Sequence, residues 1–142
     1  MVQSVVYPGG LPDIFSVGAT NYLDEVSPFS SSGSGANETV KPEIVAPGID
    51  IWSSILGQHI MYLSGTSMAA PHVTGVVALL LSKNPNLTNK EIWDILIKST
   101  DPVTITKTPD QCESIPLEKY PNNRAGYGRL NALKAINNVK LP

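Results

Sequence analysis

The stretch from Thr66 to Lys83 constrains this chain more than any other. Within it Val73, Val76, Val77, Leu80 and Leu81 recur at spacings of three and four, which places their side chains on one face of an α-helix. The spacing predicts a helix largely buried on that face. Pro71 falls within its first turn or two, and Asn84-Pro85 ends it, because proline has no N–H and turns the residue before it away from helical geometry.

The neighbouring segments supply layers for such a helix. Thr88-Asn89-Lys90-Glu91 reads as a capping box, and Ile92, Trp93, Ile95 and Leu96 give the helix after it an apolar side. A short helix is expected from Asn131 to Asn138, after Gly126-Tyr127-Gly128. Upstream, Ile14-Phe15-Ser16-Val17-Gly18-Ala19 and Glu43-Ile44-Val45-Ala46 are short apolar runs bounded by Pro and Gly, the pattern of buried strands. Residues 49–55 and 58–63 around Gly57 read as a hairpin. Residues 27–41, rich in Ser and Gly, are expected to form a surface loop. Residues 100–124, with Pro102, Pro109, Pro116 and Pro121 and with Cys112 in the middle, are expected to be irregular. Strands followed by helices indicate an α/β fold with a partial parallel sheet, although strand-helix alternation is incomplete and upstream strands are missing from it.

Composition narrows the function. A chain of 142 residues fits one domain. Ten basic against 12 acidic residues, a net charge of -2 with no long run of either sign, argue against nucleic acid or an anionic membrane as partner. Cys112 alone makes neither an internal disulfide nor a cysteine-rich zinc site. No apolar run approaches the roughly 18 residues of a membrane span, and Met1-Val2-Gln3-Ser4 lacks the features of a signal peptide. Asn37-Glu38-Thr39 and Asn86-Leu87-Thr88 are glycosylation triplets that also arise by chance.

Ser67 lies between Gly65 and the long helix, in Gly65-Thr66-Ser67-Met68-Ala69-Ala70-Pro71-His72. Free N–H groups and the positive end of the helix dipole favour an oxyanion there, so a serine at this point suits nucleophilic attack on a carbonyl. A Ser or Thr here also serves as an ordinary N-cap, and the local chemistry leaves both readings open.

The longer run Gly65-Thr66-Ser67-Met68-Ala69-Ala70-Pro71-His72-Val73 resembles the nucleophile signature of the subtilase family. Tyr7-Pro8-Gly9, Phe15-Ser16-Val17-Gly18-Ala19, Phe29-Ser30-Ser31, Lys41-Pro42-Glu43-Ile44-Val45-Ala46-Pro47-Gly48 and Gly126-Tyr127-Gly128-Arg129-Leu130-Asn131-Ala132 follow the order of subtilisin-like catalytic domains. The resemblance implies a subtilisin-like fold, its C-terminal part only, with the long central helix starting at the nucleophile.

The same resemblance implies roles. Ser67 attacks the scissile carbonyl, its own N–H forms one arm of the oxyanion hole, and Thr66 supports it. Val6 stands where the family builds the wall of the S1 pocket, so its branched side chain narrows that pocket. The Tyr7-Pro8 bond is expected to be cis. Carbonyls of Gly9, Leu11 and Ile14 are placed to offer oxygens to a weak structural calcium, but an ordinary turn accounts for them equally; no metal or other cofactor is assigned.

In this family the triad runs Asp, His, Ser, so the base and acid belong upstream of Ser67. His59 is the only histidine there, and it lacks the family's His-Gly-Thr setting. None of Asp13, Asp24, Glu25, Glu38, Glu43 and Asp50 stands in an Asp-Thr/Ser-Gly pattern, and the oxyanion Asn expected just before Ser4 is absent. His72, five residues along the helix, lies about 140° round and about 7.5 Å up from Ser67 and reads as structural. An α/β-hydrolase reading fails, since no histidine follows His72. The expectation is therefore a serine endopeptidase parent, secreted and acting on polypeptides, of which this chain is the C-terminal half and inactive alone. The alternative is a non-catalytic module that binds a missing half, or itself, through an open sheet edge.

Overall fold

The computed structural model describes residues 5, 7–57, 59–105 and 117–140. Strand β1 (Val17–Thr20) is followed by the two-residue strands β2 (Gly33–Ser34) and β3 (Val40–Lys41), then β4 (Ile44–Pro47), β5 (Ile51–Ile55) and β6 (His59–Leu63). Helices α1 (Thr66–Lys83), α2 (Asn89–Lys98) and α3 (Ala132–Asn137) complete the order.

β1 and β4 pair in parallel, with Val17 opposite Ile44 and Ala19 opposite Ala46. Residues 128–130 extend the other side of β4: the Val45 N–H donates to Gly128 O at 2.9 Å, and the Leu130 N–H to Val45 O at 2.9 Å. Gly126 permits this approach. Its φ of 58° lies in the left-handed region, and a Cβ there would fall 2.0 Å from the Glu43 carbonyl oxygen. The outer edge of β1 is partly covered by the segment that follows it: the Ala19 N–H donates to Ser30 Oγ at 3.0 Å, Ala19 O accepts from the Ser27 N–H at 2.9 Å, and Thr20 bridges Val26.

α1 has the bounds its spacing predicts and packs across β1 and β4 and against α3. It buries Ala69, Val73, Val76 and Leu80 with Ala19, Ile44 and Ala46 of the sheet; each fully buried valine or leucine contributes about 1.5–3 kcal/mol. Its other face carries Ala70, Thr74, Gly75, Ala78 and Leu79, all exposed, and the helix has no Asp, Glu, Lys or Arg before Lys83. α2 begins at the expected capping box: Thr88 Oγ1 accepts from the Glu91 N–H, and Glu91 accepts from the Thr88 N–H.

Several segments differ from expectation. β1 starts only at Val17: the Glu43 N–H still donates to Ser16 O at 3.0 Å, but the N–H and hydroxyl of Ser16 go to the Glu43 carboxylate, and the Ile14 N–H is turned back to Leu11 O. The stretch expected as a surface loop is exposed at Ala36–Glu38, yet Ser27, Ser30, Gly33 and Lys41 within it are buried and β2 pairs with β3. Buried Arg124 donates to the Ser27 and Ser30 carbonyls, which draws that stretch inward. The Tyr7-Pro8 bond is cis, as are Lys41-Pro42 and Tyr120-Pro121. Cys112 and the middle of the irregular stretch lie outside the described residues.

Candidate active site

Gly65 caps α1, and its carbonyl accepts from the N–H groups of Met68 at 3.0 Å and Ala69 at 3.3 Å. The N–H groups of Thr66 and Ser67, two residues earlier in the ladder, therefore point beyond the helix toward its open end. Pro71 lies inside the helix and has no N–H to give the Ser67 carbonyl, so the first turn is only loosely tied by its own ladder. Contacts from the sheet hold it instead. The Gly65 N–H donates to Gly48 O at 2.7 Å, just past the end of β4, and the Asp50 N–H donates to Ser64 Oγ at 2.9 Å.

Ser67 is exposed, and its hydroxyl has no hydrogen-bond partner among the described residues. It opens on a cleft of about 420 Å³ between α1 and the hairpin of β5 and β6. Ile51, Met61, Leu63, Met68 and Pro71 give that cleft apolar walls, and neither Asp nor Glu lines it among the described residues. The register accounts for this face: Ile51 lies opposite Leu63 and Ser53 opposite Met61, while Trp52, which also borders the cleft, pairs with Tyr62 at a ring-centroid distance of 6.3 Å. On the other side of the helix start, Thr66 borders a smaller hollow of about 180 Å³ with Ser16, Gly18, Ser30 and Ser31.

His72 borders the same cleft as Ser67, because the cleft wraps round the first turns of the helix. Its Nδ1 lies 3.0 Å from Met68 O. A carbonyl only accepts, so Nδ1 carries the proton and the ring is turned back along its own helix. His59 stands exposed at the start of β6, opposite Ile55. Val6 lies outside the described residues. The structure thus brings Thr66, Ser67 and His72 to one helix end and leaves His59 at the far end of the hairpin. The apolar cleft walls escape sequence reasoning, since alternation in β5 and β6 shows which residues share a face but not which face meets α1.

Charged groups with shifted affinities sit away from this cleft. Hydrogen bonds from Lys134 and then Asn131 hold the Asp101 carboxyl below its ordinary range, and burial lowers the proton affinity of the Arg124 guanidinium. Among the described residues, no group of three or more His, Cys, Asp or Glu is placed to hold a metal ion, and no helix is long and apolar enough to cross a membrane.

The Subtilase family model matches residues 2–128. Bacillopeptidase F of Bacillus subtilis (strain 168) is 39% identical over 137 residues, covering 96% of this chain and 9% of that protein. The cell wall-associated protease of the same organism is 35% identical over 149 residues, covering 98% of this chain and 16% of that protein. The solved structure of the Clostridium perfringens CspB protease superposes with a TM-score of 0.73 at 34% identity, over 92% of this chain and 28% of that one. The chain therefore spans less than a fifth of the length of these two Bacillus relatives.

Proposed function

This chain belongs to the subtilase family, and from that premise we propose that it supplies the nucleophile of a serine endopeptidase, with Ser67 as the attacking residue. The observation that carries this reading is the exposed, unpartnered Ser67 hydroxyl at the open end of α1, above an apolar cleft. In the reaction Ser67 Oγ bonds to the scissile carbonyl carbon while its proton passes to a base. The free N–H of Ser67, supported by Thr66, takes the charge that develops on the carbonyl oxygen. The carbon–nitrogen bond then breaks, the base returns the proton to the departing amine, and water releases the acyl group. Val6 limits the P1 side chain in this reading, and the substrate is a polypeptide.

These 142 residues alone turn over no peptide under this proposal. His72 is engaged with Met68 O, His59 is exposed at the far end of the hairpin, and no carboxylate lines the cleft among the described residues. The base, its orienting acid and the second oxyanion donor belong to the part of the parent domain outside these residues. The intact protein works outside the cytoplasm, a reading consistent with the relative named as a cell wall-associated protease. The test is peptide hydrolysis by the intact parent and by its Ser67→Ala variant. The variant should lose about 10⁶-fold in turnover, a magnitude known from a subtilisin, a member of the same family; a variant retaining most of its turnover would defeat the proposal.

A second reading, a binding module that recruits a strand, is favoured by one feature. Val17, at the start of β1, borders a groove of about 320 Å³ with Ala70, Val77, Ile92 and Trp93, next to the uncharged exposed face of α1. A helix without charge on either face is usually covered on both.

A further inference from the structure

We infer that the ammonium group of Lys41 is a built-in cation for the turn at residues 9–16, standing where the resemblance would place a structural calcium. Lys41 is fully buried. Its Nζ donates to Ile14 O at 2.6 Å and is paired with Glu43 Oε1. The other oxygen of that carboxylate, Oε2, accepts from the Ser16 N–H at 2.7 Å and from Ser16 Oγ at 2.8 Å. One positive charge thus joins a main-chain carbonyl and a buried carboxylate that closes the end of the same turn.

With two of the carbonyls of Gly9, Leu11 and Ile14 already engaged, the set does not fit a bound metal in this arrangement. Ile14 O already serves the ammonium, and Leu11 O accepts from the Ile14 N–H at 3.3 Å. A calcium ion needs six to eight oxygens at about 2.3–2.6 Å, and a positive group at the Ile14 carbonyl repels it at contact range. The path of the lysine stem is also built in: a Cβ on Gly35 would fall 2.9 Å from Lys41 Cγ and 2.6 Å from Gly10 O. Because the charge is covalently tethered, the turn needs no free cation. Truncating Lys41 would leave the Ile14 carbonyl and the Glu43 carboxylate facing a void, an oxygen-lined site for a hard metal cation.

The test compares thermal unfolding of the chain and of its Lys41→Ala and Lys41→Met variants in calcium chloride and in chelator. The unsubstituted chain should melt at the same temperature in both. Each variant should melt about 10 °C lower in chelator; Lys41→Ala should regain part of that in calcium, whereas Lys41→Met, whose side chain fills the space, should regain less. Hydrogen exchange of residues 9–16 in the unsubstituted chain covers the case in which neither variant folds; calcium should leave it unchanged. Calcium protection of that turn in the unsubstituted chain, or a folded Lys41→Ala variant indifferent to calcium, would overturn the inference. These readouts do not involve Ser67, so they stand or fall apart from the proposed peptidase activity.

Discussion

Gly65 and Gly48 meet backbone to backbone: the Gly65 N–H donates to the Gly48 carbonyl at 2.7 Å, and a Cβ on Gly48 would fall 2.8 Å from the Gly65 carbonyl oxygen. That contact locks the start of α1 to the end of β4. It matters because Pro71 removes a rung from the ladder around Ser67, so the sheet rather than the helix fixes where the serine stands.

Gly48→Ala should therefore misplace Ser67. The added methyl would also meet Ala19 Cβ at 2.7 Å and Ala69 Cβ at 3.2 Å, inside the core. Overpacking of this kind costs about 1–3 kcal/mol. Denaturant unfolding should register that loss, and turnover by the intact parent should fall by more than the lost folded fraction explains. Unchanged turnover would mean that the contact does not set the position of the serine.

Asp101 gives a pH dependence with a definite sign. Lys134 first, then Asn131, with Arg129 nearby, holds its carboxyl below the ordinary value of 3.8. A carboxyl whose folded affinity for protons is lowered stabilises the fold above its unfolded pKa, and that contribution disappears as pH falls through the lower folded value. Asp24 shares Arg129, bonding it at 2.8 Å, so the network tying residue 101 to α3 loosens in acid. Melting temperatures measured from pH 6 down to pH 2 should fall less steeply for Asp101→Asn than for the unsubstituted chain; parallel curves would rule this out.

Ala78→Glu tests the uncharged face of α1. Ala78 is exposed, so the substitution should change stability by no more than about 0.5 kcal/mol. Light scattering should nevertheless show weaker association, either with a complementary subtilase segment or between copies, because a carboxylate would be buried unpaired. Association untouched by the substitution would remove this face as a docking surface.

The sequence carried α1 to its final residue because its spacing, its glycine start and its Asn-Pro stop agree with one another, and α2 is equally legible from Thr88 and Glu91. Subtilase membership was legible in the run from Gly65 to Val73. Lys41 was not: a lysine in a Ser/Gly-rich stretch reads as solvated, and only the tertiary approach of Ile14 and Glu43 explains its burial. The cleft walls were hidden for a similar reason, since which face of the hairpin turns to α1 depends on the Gly48–Gly65 and Asp50–Ser64 contacts. The early start expected for β1 failed because the Ile14 N–H closes a turn onto Leu11 O and the Ser16 N–H goes to the Glu43 side chain, 27 positions away.

Mass spectrometry after incubation with a fluorophosphonate shows whether Ser67 is a nucleophile awaiting its base. The chain is treated alone and mixed with the N-terminal half of a subtilase domain bearing the Asp and His motifs. A covalent adduct on Ser67 is expected in the mixture and none on the chain alone. An adduct on the isolated chain at the same rate, or none in a mixture shown to have associated, would contradict it.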